Sequence, residues 1–210
     1  QMILHYSNIR TVILLSILSC NLFAKLSVSG GISYGGVSYS DDIQDYTTIS
    51  NDTGYIGTIE RSFGQATIGL GVLQQRYTED FSYSQSEPID YSFKYKSKYQ
   101  SNYVVVYAIY PYQFKKCNIW GGLQIGKLID GQVTTEVDGQ EFEFEIEPSD
   151  FKLDYGLSIG LDYMLMESIG IRLSYYYGLS RILKNDVDLI IENDLNKLNV
   201  SLNAQILFSF

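Results

Sequence analysis

Histidine is all but missing from this chain, which holds only His5 in 210 residues. Beyond residue 5 there is no base for serine–histidine hydrolysis and no ligand for a histidine-bound metal. Cysteine is nearly as scarce, with Cys20 and Cys117 alone, so no multi-disulfide framework can staple the chain. Cationic side chains are outnumbered, 15 Lys and Arg against 24 Asp and Glu, giving a net charge of −9. That is the wrong sign for neutralising nucleic-acid phosphates. Proline occurs only three times, so long uninterrupted strands are allowed. There is also no apolar run of the ~20 residues that a spanning helix needs.

The longest apolar stretch, TVILLSILSCNLFA at residues 11–24, follows Arg10 and ends on Ala24. A basic residue, a short apolar run and a small terminal residue predict an export signal over residues 1–24, cleaved before Lys25. The domain to explain is then 25–210, and His5 leaves with the signal. Ile17-Leu18-Ser19-Cys20 also resembles a lipobox, which would make Cys20 a lipidated N-terminus. The plainer reading makes Cys20 one small apolar residue of the signal.

What the chain has in abundance is 19 Tyr and 18 Gly, and a period of two. In FKLDYGLSIGLDY (151–163) Leu153, Tyr155, Leu157, Ile159, Leu161 and Tyr163 alternate with Lys152, Asp154, Gly156, Ser158, Gly160 and Asp162. After MLMES (164–168), Ile169, Ile171, Leu173, Tyr175, Tyr177 and Leu179 alternate with Gly170, Arg172, Ser174, Tyr176, Gly178 and Ser180. Side chains of a strand alternate between faces, so each segment has one apolar and one small or polar face. Soluble strands keep this up for about 5–6 residues; a tilted strand needs about 9–11 to cross a bilayer.

The same test finds strands at 26–39, 54–63, 66–77, 99–112, 119–129 and 197–210. In the first, Val37 and Tyr39 fall out of step with Leu26, Val28, Ile32 and Tyr34, which predicts a bulge near Gly35-Gly36. In 54–63, Tyr55, Ile59 and Phe63 oppose Thr58, Glu60 and Ser62. In 119–129, Trp120, Gly122, Gln124 and Gly126 share the polar face. Segment 99–112 is apolar at both parities, so its facing stays open. The last strand alternates strictly from Leu198 to Phe210. Residues 41–52, 78–98 and 182–196 lack a clear period and read as loops. The count is eight strands with connections alternating long and short, as in barrels with short periplasmic turns and long extracellular loops. The expected fold is all-β: an eight-stranded antiparallel up-and-down transmembrane β-barrel.

Five charges fall on the predicted inner face: Glu60, Lys152, Asp154, Asp162 and Arg172. They predict an interior salt-bridged network, Arg172 pairing with an acid on strand 151–163, since buried charges must be paired and a barrel of this size is just wide enough to be filled by side chains. A proton or ion path is the competing reading. Residues 130–150 carry eight acids and no base. Asp138-Gly139 within that stretch signals a hairpin turn, and the alternation of Glu with Phe142 and Phe144 predicts an exposed ribbon rather than a calcium loop. Cys117 lies in a predicted turn beside Lys115 and Lys116 with no base nearby. No cofactor or catalytic residue emerges.

Aromatic Phe208 and terminal Phe210 resemble the C-terminal strand signal of bacterial outer-membrane proteins. GGLQIGKL (121–128), FKLDYGLSIGLDY and RLSYYYGLSRI (172–182) resemble the small Bacteroidota-type outer-membrane β-barrel family called PorT-like, over roughly 25–210. The chain departs from that family where an Ile-Pro often opens the fourth strand; Asn102-Tyr103 stands there. The resemblance implies a Gram-negative outer-membrane protein, with Phe208 and Phe210 read by the barrel-assembly machinery. It also implies contact with membrane lipid and lipopolysaccharide, in a family generally without an assigned activity. The expected role is a narrow, filled barrel with a structural or surface-interaction function and an unidentified surface partner. A small pore, or an accessory part of a secretion assembly, is the alternative.

Overall fold

The computed structural model describes residues 25–39, 47–85, 91–180 and 197–210. The predicted signal with His5 and Cys20, and the predicted loop 182–196, lie outside them. The strands are β1 (Leu26–Tyr39), β2 (Thr47–Phe63), β3 (Ala66–Gln85), β4 (Tyr91–Phe114), β5 (Cys117–Val137), β6 (Gln140–Glu145), β7 (Asp154–Met164), β8 (Ile169–Gly178) and β9 (Lys197–Ser209). All pairings are antiparallel, and β9 pairs with β1 from Ser27–Ser209 to Tyr39–Lys197. The lower part of β5 pairs with β7, so β6 hangs from the upper part of β5, outside a closed ring of eight strands. The expected eight-stranded barrel is the fold found.

Two periodicities place the solvent. Ile32, Leu70, Leu123, Ile159 and Leu202 point outward and are 51–62% exposed, while Ser29, Ser33, Thr58, Asn203 and Gln205 are buried inside. A continuous belt of half-exposed aliphatic side chains around a closed ring is stable only against hydrocarbon. Exposed Phe63, Tyr110, Tyr112, Tyr163 and Phe208 edge the belt near the tight turns, and Tyr34, Tyr55, Tyr155 and Tyr177 lie nearer the other end. From Tyr155 to Tyr163 β7 rises about 27 Å at ~3.4 Å per residue, or roughly 20 Å along the membrane normal at the usual tilt, close to the apolar height of such barrels.

Three sequence expectations change. The bulge near Gly35-Gly36 does not exist: β1 keeps one register against β9 throughout. Val37 is out of step because it faces inward and packs on Tyr77. Irregularities fall instead between Asp52 and Ile56 on β2 and between Asn102 and Tyr103, opposite β5. Second, residues 47–52, 78–85 and 91–98 are strand rather than loop. Third, β7 and β8 are shorter than thirteen residues, at 11 and 10.

The extra strand length stands outside the ring as an upper sheet, in which the two faces exchange character. Outward on β4, Tyr110, Ala108, Val106 and Val104 give way to Asn102, Gln100, Lys98, Lys96 and Lys94. Inward, buried Ser101 and Ser97 are interleaved with Tyr99, Tyr95 and Phe93. Stacked Tyr77–Tyr99 and the Phe81–Phe93–Tyr95 cluster line the inner side of this sheet. The period of two never stops; only the surrounding medium changes.

The facing of β4, open from sequence, is also decided: Tyr103, Val105, Tyr107 and Ile109 are buried inside. Large side chains fit there because glycines face them. A Cβ on Gly69 would sit 2.2 Å from the Tyr107 ring, and one on Gly160 would sit 2.2 Å from the Trp120 ring. Trp120 is the only tryptophan, so its fluorescence reads this packing. Gly160→Ala is expected to shift the emission of the folded protein and to lower its stability by about 1–3 kcal/mol in urea titrations from lipid vesicles. An unchanged spectrum and midpoint would contradict the close fit.

Candidate functional site

The chemistry of this chain is concentrated inside the ring. Asp162 on β7 stands directly opposite Arg172 on β8, both at inner parity. Arg172 grips it with two bonds, Nε to Oδ1 at 2.7 Å and Nη2 to Oδ2 at 2.8 Å, the fork geometry that suits guanidinium and carboxylate. Its Nη1 crosses the lumen to Oε1 of Glu60 on β2. The same oxygen accepts from Tyr107 Oη at 2.6 Å and Thr58 Oγ1 at 3.3 Å. Trp120 donates its Nε1–H to Asp162 Oδ1 at 2.9 Å, and the guanidinium carbon lies 5.2 Å from its ring centroid. The three charged side chains are only 3–7% exposed. Such a layer is tolerable in a narrow interior because one guanidinium is shared between the two carboxylates and Tyr107, Thr58 and Trp120 supply further hydrogen bonds to them.

On the tight-turn side of this layer lies an open cavity of about 570 Å³, with Glu60, Asp162 and Arg172 among its lining and Lys25, Lys115 and Lys116 in its wall. On the other side, a pocket of about 20 Å³ lies among Thr58, Gln124, Ser174 and Gln205, room for about one water molecule. Beyond it, buried Ile56, Leu73, Tyr103, Val105 and Leu128 form an apolar cluster.

Asp154 belongs to a separate cluster: it accepts from Asn199 Nδ2 at 2.9 Å and from Ser180 Oγ at 3.3 Å. Lys152 departs from the expectation. It precedes β7 and is exposed, because the strand, and with it the inner parity, begins only at Asp154. Phe208 and Phe210 are exposed at the tight-turn end, where the Phe210 N–H donates to the Leu26 carbonyl at 2.8 Å. Cys117, a half-buried free thiol, opens β5.

Sequence reasoning missed a second buried ion pair. Lys197 Nζ lies 2.6 Å from Glu79 Oε1, over the Tyr99 and Tyr77 rings at 4.5 and 5.1 Å. Burial first, and then the Glu79 carboxylate, push the Tyr99 phenol above its ordinary value, so the ring stays neutral beside the pair. The signal was the parity of Lys197 with Asn199, Ser201 and Asn203; Glu79 was hidden in a segment read as loop.

In the upper sheet, Asp138 (φ 51°) and Gly139 (φ 78°) form the turn between β5 and β6, and every residue of β6 is exposed. The predicted ribbon is therefore present, joined edge to edge with the upper parts of β2, β3 and β4.

A family model described as an outer membrane protein beta-barrel domain matches residues 20–184. Among solved structures, the chain is similar in fold to the outer membrane protein OprG from Pseudomonas aeruginosa, with TM-score 0.50, 15% identity and coverage of 89% of this chain and 96% of that one. It is also similar to the attachment invasion locus protein Ail of Yersinia pestis, with TM-score 0.48, 16% identity and coverage of 89% and 99%. Neisserial surface protein A gives TM-score 0.47, 12% identity and coverage of 88% and 97%. No curated protein sequence matches the chain.

The charged layer makes a sharp energetic prediction. Arg172→Met leaves two buried carboxylates facing each other and should cost about 3–5 kcal/mol in reversible unfolding from vesicles. The triple variant Glu60→Leu, Asp162→Leu, Arg172→Met should recover most of that loss. Equal destabilisation of both would show that the charges are not a coupled unit.

Proposed function

We propose, for a chain that belongs to the family of outer membrane protein beta-barrel domains, that the barrel is a closed platform whose business is done by the sheet it holds outside the membrane. The protein lies in the Gram-negative outer membrane. By the usual orientation, the tight turns face the periplasm and the upper sheet faces outward. The observation that carries the reading is the bridging of the lumen by Arg172, Glu60 and Asp162, wedged between Trp120 and Tyr107. Side chains rather than water fill the cross-section, as expected for eight strands.

The same saturation argues against catalysis in the interior. Arg172 holds both carboxylates that reach the periplasmic-end cavity, so neither stands there as an unpaired acid or base. In this reading Phe208 and Phe210 serve delivery to the assembly machinery, the apolar belt meets lipid and lipopolysaccharide, and the upper sheet serves interaction with a partner. A second reading, a small pore or a component of a secretion assembly, has one observation in its favour: the cavity of about 570 Å³ open at the periplasmic end. That cavity ends on the Arg172 layer.

Recording in planar bilayers separates the two. The purified, heat-modifiable barrel is expected to insert without stable conductance steps. Reproducible unitary steps that vanish in Arg172→Trp would favour the pore.

A further inference from the structure

The outer edge of the upper sheet is unfinished. Strand β6 pairs with β5 on one side, and among the described residues no strand pairs with the other. Its closing pair is Val137–Gln140, and Ile146 N–H donates to the Gly131 carbonyl at 2.8 Å. In an antiparallel ladder hydrogen-bonded pairs alternate with non-bonded ones. The N–H and C=O groups of Glu141, Glu143 and Glu145 are therefore the ones turned to the open edge.

Those residues put their carboxylates on one face of the sheet, while Phe142 and Phe144, 46% and 57% exposed, lie on the other beside Thr135 and Val133. The charge arrangement is unrelieved within the ribbon. Glu141 stands directly opposite Glu136, and like charges facing across a ladder are destabilising. Gln132 donates to Glu143 and Lys96 of β4 stands across from Glu136 on its other side, but among the described residues no ion pair is formed with Glu141 or Glu145. A second copy of β6 would bring glutamates against glutamates, so self-pairing is disfavoured.

We propose that β6 is a strand-addition site for an extended, basic segment of a partner protein, alternating Lys or Arg with apolar residues. Such a segment completes the ladder through the backbone of Glu141, Glu143 and Glu145. Its cations lie over the carboxylate face and its apolar side chains continue the Phe142–Phe144 face. This deepens the platform reading and rests on it, since the edge is useful only if the sheet stands outside the membrane.

The test uses the full-length protein in nanodiscs of zwitterionic phosphatidylcholine and a fluorescein-labelled peptide, Lys-Val-Lys-Phe-Lys-Val-Lys, followed by anisotropy. Saturable binding is expected. The same peptide N-methylated at alternate residues keeps its charge but cannot complete a ladder, and should bind at least about tenfold more weakly. Glu143→Pro removes an outward-facing N–H that β5 does not use, a change an edge strand tolerates, and should weaken binding similarly. Glu141→Gln with Glu145→Gln should weaken it and flatten its salt dependence. Equal binding of the methylated and unmethylated peptides would reduce the site to charge attraction and overturn the proposal. No binding by a folded, non-conducting barrel would also overturn it, leaving the glutamates as guards of the edge and the platform reading intact. Conductance steps in the same preparation would instead strike at the platform reading.

Discussion

Inside hydrocarbon no water is present to meet a backbone N–H or C=O, so every such group in the membrane has to be met by a neighbouring strand. That constraint governs the whole ring. It requires the unbroken β1–β9 seam, in one register over its full length, because a ring with one open edge would expose a row of unmet groups to lipid. Closure at eight strands leaves a lumen only side chains wide. It also turns the usual amphipathic strand inside out, with Ile159 and Leu202 outside and Ser33 and Asn203 within. Any charge on the inner face must then find its match inside, and Arg172 does so with Asp162 beside it and Glu60 across the lumen.

The strands outlast the membrane. Where β2 to β5 pass the rim, the outer medium changes from hydrocarbon to water and the two faces exchange roles. Lysines replace valines outside on β4, and Tyr99, Tyr95 and Phe93 occupy the inner face. Lys197 and Glu79, clasped by stacked tyrosines, sit at this crossover. A structure that continues as a sheet with an exposed edge after it has left the bilayer is suited to contact other molecules, whereas the interior below is occupied by its own charges.

Much of this was legible in the residues. The hairpin of β7 and β8, and β9 with its strict alternation to Phe210, carry their membrane crossing in their parity. That parity also put Glu60, Asp154, Asp162 and Arg172 indoors. It also set Arg172 against an acid of the β7 segment, where Asp162 is found; what it could not give was the partner across the lumen. Arg172 meets Glu60 only because strands far apart in the chain face each other across the ring, a consequence of register and stagger rather than of local pattern. The facing of β4 was illegible because both its faces are apolar; the inner one is tolerated through Gly69 on β3. Residues 78–85 and 91–98 resemble loop in sequence because their polar character masks an alternation whose sense has reversed. Lys152 shares the inner parity in sequence but lies outside because its strand begins only at Asp154, one pleat further on.

A hydrogen-bonded layer of side chains closes the barrel at Trp120, Asp162, Arg172 and Glu60. Because Trp120 is the only tryptophan, its indole N–H, held by Asp162, gives a single resonance in ¹⁵N-labelled protein folded in micelles. Transferred to D₂O, that resonance is expected to persist and to decay on the timescale of global unfolding. Exchange complete within the mixing time, as for an exposed indole, would mean that water passes freely through the layer and would contradict the closed barrel.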